Sequence, residues 1–322
     1  DMNFEHKVLD GGLATQLIRQ GYDNLDNDPL WSCRLLNTAP WAIKQAHLSF
    51  LEGGADIIET NTYQASIESF IEHFTISEEE AVGLIKDGAR IAIEARDEFW
   101  RLNSEKCSRE GRQRPLVAAS IGPYGATLHD GSEYSGHYVD TMSIEDLKAW
   151  HKRRIDLLAD SGIDILACET IPALREAEAL VRLLSEYPHL RAWISFSCKD
   201  NQHINHGELF SDVVAKILSY DCKQVLGIGI NCTDPEFIEP LLKSVQNFRD
   251  VTKFVIYPNS GETWTAEHTW TGKASLKGLD EYVDDWMDLG ATYIGGCCRV
   301  YPEDTNKIRS KMNQYFKLNN KT

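Results

Sequence analysis

The predicted fold class is α/β, a (β/α)₈ barrel of the TIM type, and three observations predict it. Short β-rich runs alternate with helix-period segments eight times along a chain of 322 residues. No Gly-rich phosphate fingerprint follows the first run, where a doubly wound sheet would usually carry one, and Gly11-Gly12 is too short to serve. Polar and sulfur-bearing residues gather at the C-terminal ends of the runs, where such barrels build their active sites. With no further repeat, low-complexity tract or interdomain linker, a single barrel domain over 1–322 is expected.

In order, the runs are Val8 to Gly12, Ala55 to Thr62, Leu116 to Gly122, Ile163 to Thr170, Ala192 to Cys198, Val225 to Cys232, Phe254 to Asn259 and Tyr293 to Cys298. Helix punctuation lies between them. Pro40 opens a stretch that ends at Gly53, and Ser77 with Glu80 and Ser143 with Asp146 form capping boxes. Asp234 and Pro235 read as a cap and first helical residue, and Pro302 opens the last helix. After Ser275, the spacing of Leu276, Leu279, Val283, Trp286 and Leu289 predicts an amphipathic helix on the sheet. Arg101 to Arg114 has no apolar period and reads as a solvated surface excursion. Asp130 to Asp140, rich in Gly, Ser and Tyr, follows the third run and reads as a lid over the active face.

A hydrophobic content of 42% supports a large core, and a formal charge of −16 leaves no basic surplus for nucleic acid or an anionic membrane. No apolar run approaches the roughly 20 residues that span a bilayer, and the first residues carry no signal pattern. Eight unevenly spaced cysteines favour free thiols, hence a reducing, cytoplasmic setting, over a disulfide framework.

Five of those cysteines, Cys33, Cys107, Cys168, Cys198 and Cys222, read as small buried apolar residues. The other three read differently. Cys297 and Cys298 are adjacent at the end of the eighth run, and Cys232 ends the sixth. Three thiolates with no evident fourth ligand suggest an open Zn²⁺ site of the catalytic kind. Neighbouring strand residues face opposite ways, so the vicinal pair shares one ion only where the backbone bends, and Gly295-Gly296 permit the bend. A redox dithiol at Cys297-Cys298 is the alternative, though it leaves Cys232 without a role.

The chain resembles the homocysteine S-methyltransferases nearly end to end. The resemblance rests on Asp10-Gly11-Gly12, Glu59-Thr60-Asn61-Thr62-Tyr63-Gln64-Ala65-Ser66, Ser120-Ile121-Gly122-Pro123-Tyr124-Gly125, Asp130-Gly131-Ser132-Glu133-Tyr134, Asn231-Cys232, Tyr257-Pro258-Asn259-Ser260-Gly261-Glu262 and Gly295-Gly296-Cys297-Cys298. It implies a zinc barrel that methylates L-homocysteine to methionine, with Cys232, Cys297 and Cys298 as ligands. It also implies that Asp10 and Glu169 hold the amino group of homocysteine, and that the Gly11 backbone and Thr60 grip its amino-acid end. Asn231 is expected to orient its neighbour Cys232 from behind.

For the methyl donor, Trp31 matches a donor-site tryptophan of the related betaine users, and Tyr63, Tyr124 and Tyr134 are further cation-π candidates. Gln64 stands where the betaine users carry an aromatic residue, and their C-terminal dimerisation extension has no counterpart here. Both departures favour a sulfonium donor, S-methylmethionine ahead of S-adenosylmethionine, and the missing extension favours a monomer. A betaine-type donor and a non-catalytic zinc- or thiol-binding barrel are the competing readings.

Overall fold

The computed structural model describes residues 6–264, 270–272 and 277–319. Eight strands run parallel in one sheet: β1 (Lys7–Val8), β2 (Ile57–Glu59), β3 (Leu116–Ile121), β4 (Ile165–Ile171), β5 (Ala192–Phe196), β6 (Val225–Asn231), β7 (Lys253–Tyr257) and β10 (Ala291–Ile294). Between the last two lies a small antiparallel hairpin of β8 (Thr263–Trp264) and β9 (Trp270–Thr271), which the alternation did not predict. In the main sheet each strand pairs with the next, and β10 pairs with β1. A parallel bridge from Leu9 to Ile57, with Asp10 N donating to Ile57 O at 3.1 Å, joins β1 to β2 and closes the barrel.

Strand periodicity explains the two cores. On each strand alternate residues face the bore and the helices. Leu9, Ile57, Ala118, Ile165, Ala167, Trp193, Val255, Tyr257 and Tyr293 form the inner cluster, while Val8, Ile58, Val117, Ala119, Leu166, Phe254, Ile256 and Ile294 belong to the outer one. The bore is filled by aromatics: Trp193 meets Tyr257 and Tyr293 edge-on at 6.2 Å each, and its Nε1 donates to the Tyr257 hydroxyl at 2.9 Å. Gly229 leaves no room for more, since a Cβ there would run into the backbone oxygen of Val255.

The barrel strands are followed in turn by the helices Pro40–Gly53, Glu78–Arg109, Ile144–Leu158, Leu174–Leu183, Phe210–Leu218, Ile238–Lys243, Val283–Asp288 and Pro302–Asn319, with the shorter Leu13–Arg19, Arg34–Thr38 and Ile67–Phe74 added after β1 and β2. Both capping boxes form, at Ser77 with Glu80 and at Ser143 with Asp146. Asp234 caps a 3₁₀ turn, Pro235–Phe237, that leads into its helix. A 3₁₀ turn, Leu279–Tyr282, precedes Val283–Asp288, with Leu279, Val283 and Trp286 buried as expected, whereas Ser275 and Leu276 lie outside the described residues.

The Arg101 to Arg114 expectation is corrected. Residues 101–109 complete a 32-residue helix, with three glutamates in its first turn and Lys106 and Arg109 in its last, which suits the helix dipole. Only Cys107 is buried over 101–109, so the segment is solvated as expected but helical, and the apolar period disappears. The first run also stops early. Residues 10–12 are loop, and a short helix, Leu13–Arg19, starts at once. Among the described residues no helix is long and apolar enough to cross a membrane.

Gly229→Ala should lower stability by about 1–3 kcal/mol through overpacking against β7. A urea titration should show a lower midpoint at unchanged slope.

Candidate active site

Strand ends assemble the site. Cys232 follows β6 in a left-handed conformation, φ 45°, and Cys297 and Cys298 follow the end of β10. The three sulfurs lie within 4.8 Å of one another. Cys232 and Cys297 face each other across 5.6 Å between Cα atoms, and their sulfurs are in disulfide contact. The pair that meets is therefore Cys232 and Cys297, not the vicinal pair expected of a dithiol, because the sixth and eighth barrel strand ends converge here.

The backbone around these sulfurs is knitted to β7. Cys297 N donates to Pro258 O at 2.8 Å, Cys298 N to Asn259 Oδ1 at 3.2 Å, and Ser260 N to Cys298 O at 3.1 Å. On the other side the Asp10 loop presses against the same turn. Gly296 N donates to Asp10 O at 3.1 Å and Gly12 N to Val300 O at 2.9 Å. Gly295 and Gly296 matter here for space: a Cβ on Gly295 would sit 2.8 Å from Asp10 O, and one on Gly296 would run into Val300. Neither has a positive φ, so the bend needs their size and not a left-handed backbone.

Above the sulfurs opens a cavity with about 700 Å³ of atom-free space, the solvent at its mouth included. Asp10, Gly11, Trp31, Glu59, Thr60, Glu169 and all three cysteines line it, together with Tyr63, Ser120, Tyr134, Thr170 and Tyr257. Among the described residues no lysine, arginine or histidine does so. Asp10 Oδ2 accepts the Glu59 N–H at 2.9 Å, and Glu169 accepts the Ser120 hydroxyl. Burial, reinforced by repulsion from Glu169, pushes Asp10 and Glu59 well above the ordinary carboxylate range, and burial raises Glu169 as well. Burial also pushes the Cys298 thiol up to about 12. With no basic side chain among its described lining residues, the cavity offers these carboxyls no cationic partner of the protein's own. Three sulfurs with no fourth protein donor among the described residues suit a soft divalent ion that keeps one position open.

Several expected residues have other employment. Asn231 is fully buried and does not line the cavity. Its Oδ1 accepts from Thr170 N and Ser195 Oγ, and its Nδ2 donates to Thr170 Oγ1, all at 2.8 Å. Thr170 is left-handed, φ 56°, at a register shift in β4, and this bulge sits beside Glu169 on the cavity wall. The Thr60 hydroxyl accepts from Ser120 N at 3.0 Å and lies 2.6 Å from the Thr62 hydroxyl, leaving at most one lone pair for a ligand. For the Gly11 N–H no partner is found among the described residues.

Trp31, itself at φ 47°, meets Tyr63 edge-on at 6.3 Å. Asn61 secures that turn by accepting from Ser32 Oγ at 2.8 Å and donating to Ser32 O at 2.9 Å. Gln64 donates to Pro29 O at 3.0 Å and stays off the cavity wall. Tyr124 also falls outside it, packing on Tyr138 and Trp150. The Asp130–Asp140 segment forms two 3₁₀ turns, Ser132–Tyr134 and His137–Asp140, and sends Tyr134 to the cavity. Glu59, Ser120, Thr170 and Tyr257 are lining residues to which no role had been given. Their shared signal is position at a strand end.

The homocysteine S-methyltransferase family model matches residues 7–312. The chain belongs to the homocysteine S-methyltransferase family. It is 44% identical over 303 residues to homocysteine S-methyltransferase YbgG of Bacillus subtilis, covering 94% of this chain and 92% of that one. It is 42% identical over 308 residues to a betaine-homocysteine S-methyltransferase of Drosophila melanogaster, covering 93% and 92%. The metallated form of the homocysteine methyltransferase MmuM from Escherichia coli superposes with a TM-score of 0.80 at 36% identity, covering 95% of this chain and 96% of that one. For this family member the sulfur cluster and the acidic cavity are a single site.

Asn231→Ala orphans the Thr170 N–H and the Ser195 hydroxyl. It should cost about 1–3 kcal/mol, read as a lower urea midpoint.

Proposed function

We propose that the protein is a homocysteine S-methyltransferase, a single barrel domain acting as a monomer in the cytoplasm, that forms methionine from L-homocysteine. Its donor is a sulfonium, S-methylmethionine ahead of S-adenosylmethionine, and its metal is Zn²⁺ held by Cys232, Cys297 and Cys298. The observation that carries this reading is three sulfurs within 4.8 Å of one another beneath a cavity walled by carboxylates and aromatics. When bound, the metal supplies deprotonation of the homocysteine thiol and a fixed place for its sulfur.

The chain's own residues do the rest. Asp10 and Glu169 take the homocysteine ammonium, and the free Gly11 N–H with Thr60 takes its amino-acid end. Asn231 acts on Glu169 through Thr170, holding the β4 bulge that keeps this carboxyl on the cavity wall. Trp31 and Tyr63 offer aromatic surface to the donor's positive charge. The homocysteine sulfur then attacks the methyl carbon. A sulfur–carbon bond forms there as the donor's breaks, the electron pair stays on the donor sulfur, and the sulfonium leaves as a neutral thioether.

The name of the Drosophila relative keeps betaine as a second donor reading. Against it, betaine carries no net charge, whereas this cavity has an excess of acidic groups. A non-catalytic zinc holder would need neither Asp10 nor Glu169.

Cys298→Ala should abolish both bound zinc, measured by elemental analysis, and methionine formation; full turnover without metal would refute the proposal. Homocysteine binding should release a proton, seen by calorimetry as a dependence on buffer ionisation heat. With zinc-loaded protein, S-methylmethionine should outperform S-adenosylmethionine and betaine, and a clear betaine preference would overturn the donor assignment.

A further inference from the structure

We propose that Glu59 holds the positive charge of the methyl donor and so sets which donors are accepted; this rests on the cationic-donor reading above. Glu59 ends β2 and faces the cavity. Its Oε1 is sealed from solvent yet has no hydrogen-bond partner. Asp10 receives the Glu59 N–H, and Glu169 receives the Ser120 hydroxyl, faces that of Tyr257 and shares a hydrogen bond with the Glu59 carboxyl, a bond that the amide of a Glu59→Gln variant can still make. Glu59 Oε1 is left for a donor from outside. A buried carboxylate needs such a partner.

The partner cannot come from the walls, since no basic side chain among the described residues lines the cavity. Homocysteine contributes an ammonium but also a carboxylate, and adds no net positive charge. The methyl donor is the remaining source. Tyr63 lies four residues beyond Glu59 and packs on Trp31, so the aromatic faces and the unmatched carboxyl converge on one ligand. Burial beside Glu169 and Asp10 pushes Glu59 well up, so it keeps its proton until the cation arrives and releases it then. Donor binding should accordingly strengthen as pH rises and Glu59 ionises.

The test compares zinc-loaded wild type with Glu59→Gln and Glu59→Asp. Steady-state constants are measured with S-methylmethionine, with dimethylsulfonioacetate, which lacks an ammonium, and with betaine, and homocysteine affinity is measured by calorimetry. Glu59→Gln should lower kcat/KM for the donors that wild type uses by about tenfold or more, as expected for loss of a buried charge pair. Homocysteine Kd should stay within about twofold while Glu59→Asp recovers part of the rate. Equal losses for both sulfonium compounds place the carboxylate at the methylated centre, and loss for S-methylmethionine alone places it at that donor's ammonium; either supports the proposal. Weaker homocysteine binding with donor constants intact overturns it, as do unchanged constants throughout. If wild type prefers betaine, the sulfonium assignment fails, while the Glu59 effect is still read on betaine's quaternary ammonium.

Discussion

The contact between the Asp10–Gly12 loop and the Gly296–Val300 turn is the constraint on which the site depends. Two backbone hydrogen bonds, Gly296 N to Asp10 O and Gly12 N to Val300 O, bring the loop that carries a carboxylate against the turn that carries two sulfurs. Glycines at 11, 12 and 295 allow the approach, because a Cβ there would strike the opposing segment, while one on Gly296 would strike Val300 of its own turn. The spacing between the sulfur cluster and Asp10 is therefore set by main chain and does not rely on flexible side chains. Asn231 performs the same service on the far wall, tying the strand end that bears Cys232 to the bulge beside Glu169.

Electrostatics follow from that geometry. Three carboxyls and three sulfurs share a cavity with no lysine, arginine or histidine among its described lining residues. Removed from solvent, the three carboxyls and the Cys298 thiol resist ionisation until a cation compensates them. Metal and substrates are thus part of the charge balance of the site. Of the seven left-handed non-glycine residues described, Trp31, Thr170 and Cys232 line this cavity, each placing a functional side chain or its neighbour.

Much of this was legible in the residues. Eight strand runs, both capping boxes and the convergence of Cys232 with Cys297-Cys298 follow from periodicity, cap chemistry and strand-end position, each a local signal. What escaped depends on partners distant in sequence. Asn231 has its amide committed to Thr170 and Ser195, and Gln64 reaches Pro29, contacts that exist only once separate loops meet. Tyr124 belongs to an aromatic group under the third loop, which spacing alone does not distinguish from cavity wall. The helical end of Glu78–Arg109 was missed because one buried residue, Cys107, is too few to impose a period. The acidic trio was visible as strand-end polar residues, but the unmatched state of Glu59 needed coordinates.

Trp193, packed between Tyr257 and Tyr293, blocks the interior of the barrel below the site. Tyr257 takes the Trp193 Nε1–H and also lines the cavity, so the packing of the barrel core reaches the wall of the site through one phenol. A change deep in the bore would thus be felt among the carboxyls above it.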